Sequence, residues 1–310
     1  MWQVTADRSS SPLMNGFDYS GCNIVFVVGC PRSGTTYLQK LLASHPRVLT
    51  GQESDLFDMY IGPLTRIWKR ELQTPSDGRG GVGLGCYLSE EGFMTAVKGF
   101  LMQLLKPMIS NLRPNEIFLE KTPSHAFFIE EILELLPEAR FIHILRDVRD
   151  VVASLLAASR SWGKGWAPRD AKQAALLWLR HVEAVERTKA QIPFGQFSEV
   201  RYEVLWETPN EVLKELSDFM GMEWSDQDIA EAVRMNSFEA ARRGLGTPIP
   251  KGGEFGKRTG PVVADPPDFM RKGVPGGSRR DLNLVEKFLV WRVTRKTVGR
   301  IGYSWNFSLL

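Results

Sequence analysis

The sequence predicts an α/β fold in which a parallel sheet is covered by helices on both faces. Three observations carry this. Short runs of β-branched and aromatic residues at 24–28 (IVFVV) and 140–145 (RFIHIL) suit strands buried on both sides. Longer segments between and after them place apolar residues at helical spacing. A Gly/Pro/Ser turn joins the first run to the first such segment, so the chain opens as strand, turn, helix.

The elements follow in order. Residues 1–22 are polar and aperiodic, and are expected to form a loose arm before a single domain over 23–310. After the strand at 24–28, residues 35–44 set Tyr37, Leu38, Leu41 and Leu42 on one helical stripe, and His45-Pro46 stops that helix. Residues 77–85 (DGRGGVGLG) read as a glycine-rich loop with no strand before it. Residues 89–110 read as a helix with Phe93, Val97, Phe100, Leu101 and Leu104 on one face. A short strand is expected at 117–119, and one amphipathic helix at 124–136, closed by Pro137. The strand at 140–145 passes into a helix at 148–159. A long helix at 171–189 carries Leu176, Leu179, Val182 and Val185. A third short strand at 199–202 ends on Tyr202, and a helix at 209–220 follows. Residues 245–277 are rich in Gly and Pro and read as a long surface loop before a closing helix at 282–298. Sheets of this kind bind ligands beyond the carboxyl ends of their strands.

Composition excludes several classes. Lys plus Arg number 39 against 36 Asp plus Glu, a net charge of +3, so no polybasic arm or acidic tail dominates. Arg242-Arg243 and Arg279-Arg280 are scattered pairs, and no nucleic-acid partner is expected. Cys22, Cys30 and Cys86 form no CxxC pair, which argues against a disulfide framework or a structural zinc site and for a reducing, cytoplasmic setting. The first 23 residues lack the apolar centre of a signal peptide, and the run at 24–28 is too short to span a bilayer. A catalytic domain trimmed of a membrane anchor would read the same way.

The turn after the first strand is Gly29-Cys30-Pro31-Arg32-Ser33-Gly34-Thr35-Thr36. Glycines let successive backbone N–H groups point inward, and the following helix adds its free N–H groups and positive dipole end. Together they form a cradle for a phosphate-like anion. The NTPase form is GxxxxGK[ST]. Here Thr35 holds the lysine position and the cation is Arg32, an arrangement suited to a group less charged than a triphosphate with its magnesium ion. On the residues alone, a P-loop kinase or NTPase and a non-catalytic nucleotide-binding protein stand beside a transferase.

The string CPRSGTTYLQ resembles the 5′-phosphosulfate-binding loop of sulfotransferases that use 3′-phosphoadenosine 5′-phosphosulfate (PAPS). It is closer to the bacterial-type and carbohydrate/tyrosyl branches than to the steroid/phenol branch, which has a lysine and a tryptophan where this chain has Arg32 and Tyr37. The resemblance implies that Pro31, Arg32, Ser33, Gly34, Thr35 and Thr36 hold the 5′ end of the cofactor. FIHILRDVRDVVASLL is similar to the family's 3′-phosphate segment, which implies that role for Arg146 and Ser154. Ser154 lies two helical turns beyond Arg146, so the helix alone does not bring them together. Asp147, Arg149 and Asp150 read as helix-start charge pairs. Residues 199–203 (EVRYE) resemble the strand whose tyrosine, here Tyr202, lies beside the adenine. Arg271-Lys272-Gly273 with Gly276 resembles the C-terminal RKGxxG loop that closes over the 3′-phosphate, although Ser278 stands where a tryptophan is usual. The resemblance spans about residues 24–305. It implies a P-loop-like α/β fold with about five parallel strands, PAPS as cofactor and no metal requirement.

Sulfuryl transfer is an in-line displacement governed by positioning and charge stabilisation. Arg32 is expected to bind the bridging oxygen and the sulfonate. A general base must take the acceptor's proton. Glu53, in Gly51-Gln52-Glu53-Ser54, lies about where tyrosyl and several bacterial members carry a catalytic glutamate and is the leading candidate. Glu120-Lys121-Thr122-Pro123 resembles the EKTP segment of glycan sulfotransferases, which makes Glu120 a second candidate and Lys121 a second cation; His125 is a third. Each also has an ordinary reading: Glu53 as a helix-start charge, Glu120 as a core ion-pair partner, His125 as a helix cap. The acceptor, a small molecule, glycan, lipid or peptide, is expected to meet residues 52–75, the glycine loop near 80, Trp162 to Trp166 and the loop after Phe238. Trp68, Trp162 and Trp166 are candidate platforms for a sugar or aromatic ring, or else core residues.

Overall fold

A computed structural model describes residues 20–73, 83–110, 112–243, 246–250, 273–277 and 281–305. The expected arm at 1–22 lies almost wholly outside this set, as do most of the loop at 245–277, Arg271, Lys272 and Ser278.

Five parallel strands form the sheet: β1 (Ile24–Gly29), β2 (Val48–Thr50), β3 (Ile117–Glu120), β4 (Arg140–Leu145) and β5 (Phe197–Arg201). Their order is β2-β3-β1-β4-β5. Eleven α-helices are described: α1 (Thr35–Leu42), α2 (Gly62–Gln73), α3 (Glu90–Ile109), α4 (Ile129–Leu135), α5 (Val148–Arg160), α6 (Ala171–Thr188), α7 (Tyr202–Glu207), α8 (Pro209–Met220), α9 (Asp226–Met235), α10 (Phe238–Arg242) and α11 (Leu284–Arg300). A π-helical turn, Leu56–Ile61, leads into α2.

The period-two geometry of β1 builds both layers. Ile24, Phe26 and Val28 face a core formed with the π-helical turn, α3 and α4, while Val25 and Val27 face the core of α1, α8 and α9. A third cluster joins α5, α6 and α11, centred on the buried Trp178.

β1 is central, and the chain leaves it to one side for β2 and β3 and crosses to the other for β4 and β5. The crevice between the ends of β1 and β4 is therefore a topological switch point, where such sheets bind ligands.

Three expectations change. The segment at 124–136 is not one helix but a 3₁₀ turn, Pro123–Phe127, followed by α4, with Phe128 at a non-helical φ of −128° between them. Tyr202 is not a strand residue: β5 ends at Arg201, and Tyr202 starts α7, where Tyr202 and Leu205 bury one helical face. β2, α2, α9 and α10 add to the predicted elements. β2 has only three residues, too few to show a period.

Candidate active site

The candidate residues lie at the carboxyl ends of the strands. After β1, the loop turns with Ser33 N–H donating to the Cys30 carbonyl at 3.0 Å, and α1 starts on Gly34. Gly34 has φ +100°, and a Cβ there would stand 2.4 Å from a Tyr202 ring carbon. Only glycine lets this loop lie so close to α7. No acidic side chain occupies the first turn of α1, so its positive end is not offset from within the helix.

Arg32 sits in the left-handed region at φ +74°, a conformation that costs a non-glycine residue on the order of 1 kcal/mol. Its Nε donates to Ser154 Oγ at 3.1 Å, and its guanidinium lies 5.1 Å from the Trp162 ring centre. Arg146, at the end of β4, is buried. Its Nη1 approaches the Arg32 carbonyl at 3.4 Å, and its guanidinium stacks 4.0 Å over the Tyr202 ring. The fold thus joins Arg146 and Ser154 through Arg32, which the helical spacing alone does not do. The Arg146 carbonyl accepts from Trp178 Nε1 at 3.0 Å, which pins the loop from behind.

Tyr202 donates to the Gly273 carbonyl at 2.6 Å, so the described part of the C-terminal loop reaches the same place. Asp150 Oδ2 accepts the Gly276 N–H at 2.7 Å and lies 3.9 Å from Arg146 Nη2. Asp150 therefore ties down this loop, a role that its helix-start position conceals. Asp147 behaves as expected: it caps α5 and pairs with Arg149.

A second cluster sits beyond β2 and β3. Gln39 of α1 donates to Thr50 Oγ1 and to the Gly51 carbonyl, both at 2.8 Å, and so fixes the loop after β2 to the helix after β1. Glu53 follows, 46% exposed, and contacts the ammonium of Lys121, whose side chain is only 6% exposed. Glu120 is fully enclosed. Its Oε1 accepts from Ser54 Oγ and Thr122 Oγ1, each at 2.7 Å, and its Oε2 stands 2.9 Å from His125 Nδ1, off the line of a well-formed hydrogen bond. Burial opposes ionisation of Glu120, but the His125 ring and the two hydroxyls overcome it and hold the group below the usual carboxylate range. His125 is also buried, and its Nε2 accepts the Phe57 N–H at 3.2 Å. Asp55, at φ +48°, and Asp58 lie beside this cluster; burial raises both carboxyls.

Of the three tryptophans, Trp68 is a core residue stacked on Phe93 with ring centres 4.2 Å apart. Trp162 and Trp166 pack together at 5.5 Å, with Trp166 47% exposed. Ser54 and Thr122 were not singled out from the sequence. The signal available was their position, each adjoining a charged candidate. Among the described residues, no group of three or more His, Cys, Asp or Glu side chains comes together as a metal site, and no helix is long and apolar enough to cross a membrane.

Comparison with known proteins bears on the family and the fold. The Drosophila melanogaster protein-tyrosine sulfotransferase is 24% identical over 203 residues, 66% of this chain and 39% of that one. Across the first curated relatives, the match covers 29% to 67% of their length. Among solved structures, mouse sulfotransferase SULT7A1 complexed with PAP superposes with a TM-score of 0.55 at 15% identity, covering 90% of this chain and 88% of that one. The sulfotransferase domain of the Synechococcus PCC 7002 olefin synthase gives 0.53 at 18% identity, over 99% and 100%. The fold is therefore the P-loop-like α/β fold of those structures. The model of the sulfotransferase family matches residues 24–226, well over half of the sequence, and the chain belongs to that family.

Proposed function

We propose that this protein moves the sulfuryl group of PAPS to a hydroxyl or amine acceptor, releasing 3′,5′-adenosine bisphosphate. The carrying observation is the convergence of Arg32, Arg146, Ser154 and Tyr202, from the ends of β1, β4 and β5, on the switch-point crevice. The residues fit the cofactor. Arg146 is buried with its Nε unpartnered, a donor for a phosphate, and the Gly34 cradle leaves room for backbone alone. The N–H groups around Gly34 and the hydroxyls of Ser33, Thr35 and Thr36 would hold the 5′ end, Arg146 and Ser154 the 3′-phosphate, and Tyr202 the adenine. Gly273 would join them from the C-terminal loop, together with Arg271 and Lys272 if those residues follow the family pattern.

When bound, PAPS supplies a sulfonate on a phosphate leaving group. Arg32, held in one orientation by Ser154, offers fixed positive charge where negative charge accumulates. Glu53 takes the acceptor's proton on a carboxylate oxygen, because it is the carboxylate of the second cluster that combines exposure with a cation partner. Lys121 orients Glu53 and adds a second cation.

For the acceptor, a peptidyl tyrosine hydroxyl is the first candidate, supported by the protein-tyrosine sulfotransferases among the relatives. All three cysteines are free thiols, which supports a reducing, cytoplasmic compartment. The test has two stages. 3′,5′-Adenosine bisphosphate should raise the melting temperature more than ATP with magnesium does. Labelled PAPS should then deliver sulfate to tyrosine peptides in preference to sugars, lipids or small phenols. A larger shift with ATP and magnesium, together with no transfer to any acceptor, overturns the reading.

A further inference from the structure

We infer that Glu120 is a positioning residue that fixes the Glu53–Lys121 pair from behind, through the hydroxyls of Ser54 and Thr122. The inference rests on reading Glu53 as the base.

Glu53 and Lys121 stand on different segments, one beyond β2 and one beyond β3. What joins them is a knot of polar groups. Glu120 Oε1 accepts two hydroxyls at 2.7 Å each: Ser54, the neighbour of Glu53, and Thr122, the neighbour of Lys121. Thr122 Oγ1 in turn accepts the Ser54 N–H at 3.0 Å. The three groups form a closed triangle, and the residue beside each of the two hydroxyls carries a working charge.

His125 extends the knot by one step. Its Nε2 accepts the Phe57 N–H, so the proton of the neutral ring sits on Nδ1, facing Glu120 Oε2 at 2.9 Å. In that tautomer the ring N–H lies against Glu120 Oε2, while both hydrogen bonds to Glu120 fall on Oε1, and the π-helical turn that follows Glu53 is held near its start through Phe57. Asp58 Oδ2, at 3.6 Å from Nε2, and Asp55 are the further acidic groups beside the ring.

This arrangement leaves Glu120 unsuited to be the base. It is 2% exposed, and its oxygens face Ser54, Thr122 and His125 rather than a cleft. A proton acceptor must come within hydrogen-bond reach of the acceptor hydroxyl. Misplacement of a reacting group by about 1 Å costs about 100-fold in rate. Loosening the knot therefore acts on turnover and leaves the cofactor crevice intact.

Four variants are assayed with PAPS and the best acceptor: Ser54→Ala, Thr122→Val, Thr122→Ser and Glu120→Gln. The expected result for Ser54→Ala and Thr122→Val is a fall in kcat of about 10- to 100-fold. Binding of 3′,5′-adenosine bisphosphate stays within about twofold, and Thr122→Ser recovers most of the rate. In Glu120→Gln, the acid limb of the pH–rate profile persists at a lower plateau, because the titrating base is still Glu53. Loss of that limb in Glu120→Gln, while Glu53→Gln keeps it, makes Glu120 the base and overturns the inference. Normal kcat in both Ser54→Ala and Thr122→Val also overturns it, and if Glu120→Gln fails to fold these two variants decide. Normal turnover in Glu53→Gln alone rejects the reading of Glu53 without bearing on the knot's geometry.

Discussion

At the ends of β1, β4 and β5, cations gather around a crevice: Arg32 and Arg146 are oriented by a hydroxyl, a carbonyl and aromatic faces. At the ends of β2 and β3, polar groups are paired: the Glu53 carboxylate with the Lys121 ammonium, and the Glu120 carboxylate beside the His125 ring. In the proposed function the first region receives an anion, since two guanidinium groups, Arg32 and Arg146, meet there around one loop. The second holds one exposed carboxylate, Glu53, against a buried ammonium, Lys121. A buried cation such as Arg146 is costly unless a partner offsets it, whereas an ion pair with one exposed member, such as Glu53–Lys121, keeps part of its hydration. The two regions therefore differ in what a substitution will damage.

The contrast can be broken most severely at Glu53. Glu53→Gln removes the proposed base while keeping its shape, and kcat should fall by about 10²–10⁴ with bisphosphate affinity unchanged. Equal losses in kcat and affinity would mean that the second region also binds the cofactor. Arg32→Ala should lower kcat by about 10²–10³, the usual effect of losing one fixed charge-stabilising donor, and weaken bisphosphate binding far less. Calorimetric titration beside steady-state kinetics separates the two.

Gly34→Ala tests the crevice from its backbone side. The added methyl meets the Tyr202 ring at 2.4 Å in a left-handed conformation, so Tyr202 and Arg146 must shift together. Bisphosphate affinity should drop at least about tenfold, with a stability loss of about 1–3 kcal/mol from backbone strain. Denaturant titration and binding by fluorescence report both.

The smallest effect is on stability against pH. Burial pushes His181 down to about 4, although its Nδ1 contact with the Leu177 carbonyl at 2.8 Å resists this. The unfolded chain protonates this ring near 6.5, so stability is complete above that pH and declines as pH falls toward 4. Glu120 adds a second loss further down: its native value lies below the unfolded one, so its contribution is present above about 4.3 and disappears as pH falls through the native value. Melting curves of His181→Gln should be flatter between pH 6.5 and 4 while keeping the lower drop. An unchanged slope would assign the upper loss to another group.

Much of the first region was legible in the sequence. Its anion cradle is local: a buried strand, a glycine turn and a helix start occupy consecutive residues, and each carries its own pattern. The position of Arg146 after a strand was legible locally, and its place among the candidates came from the resemblance of the segment FIHILRDVRDVVASLL to the family. Tyr202 was misplaced because Glu199-Val200-Arg201-Tyr202 alternates as a strand does, and only the packing of Tyr202 and Leu205 on one face shows that α7 begins at Tyr202. In the second region, three titratable candidates for the base were visible, but not which one faces outward. That depends on contacts between residues 66 and 68 positions apart.

The sequence by itself determined the parallel α/β layering and the glycine turn, because strand burial, glycine freedom and helix dipoles act over a few neighbouring residues, while the charged candidates came from the resemblance to the sulfotransferase family. Only the tertiary structure decided that Ser154 meets Arg32, that Asp150 holds the C-terminal loop, that Trp68 is core, and that Glu120 is enclosed while Glu53 is open. Exposure and hydrogen-bond partners belong to surfaces brought together from distant segments, and no local pattern encodes them.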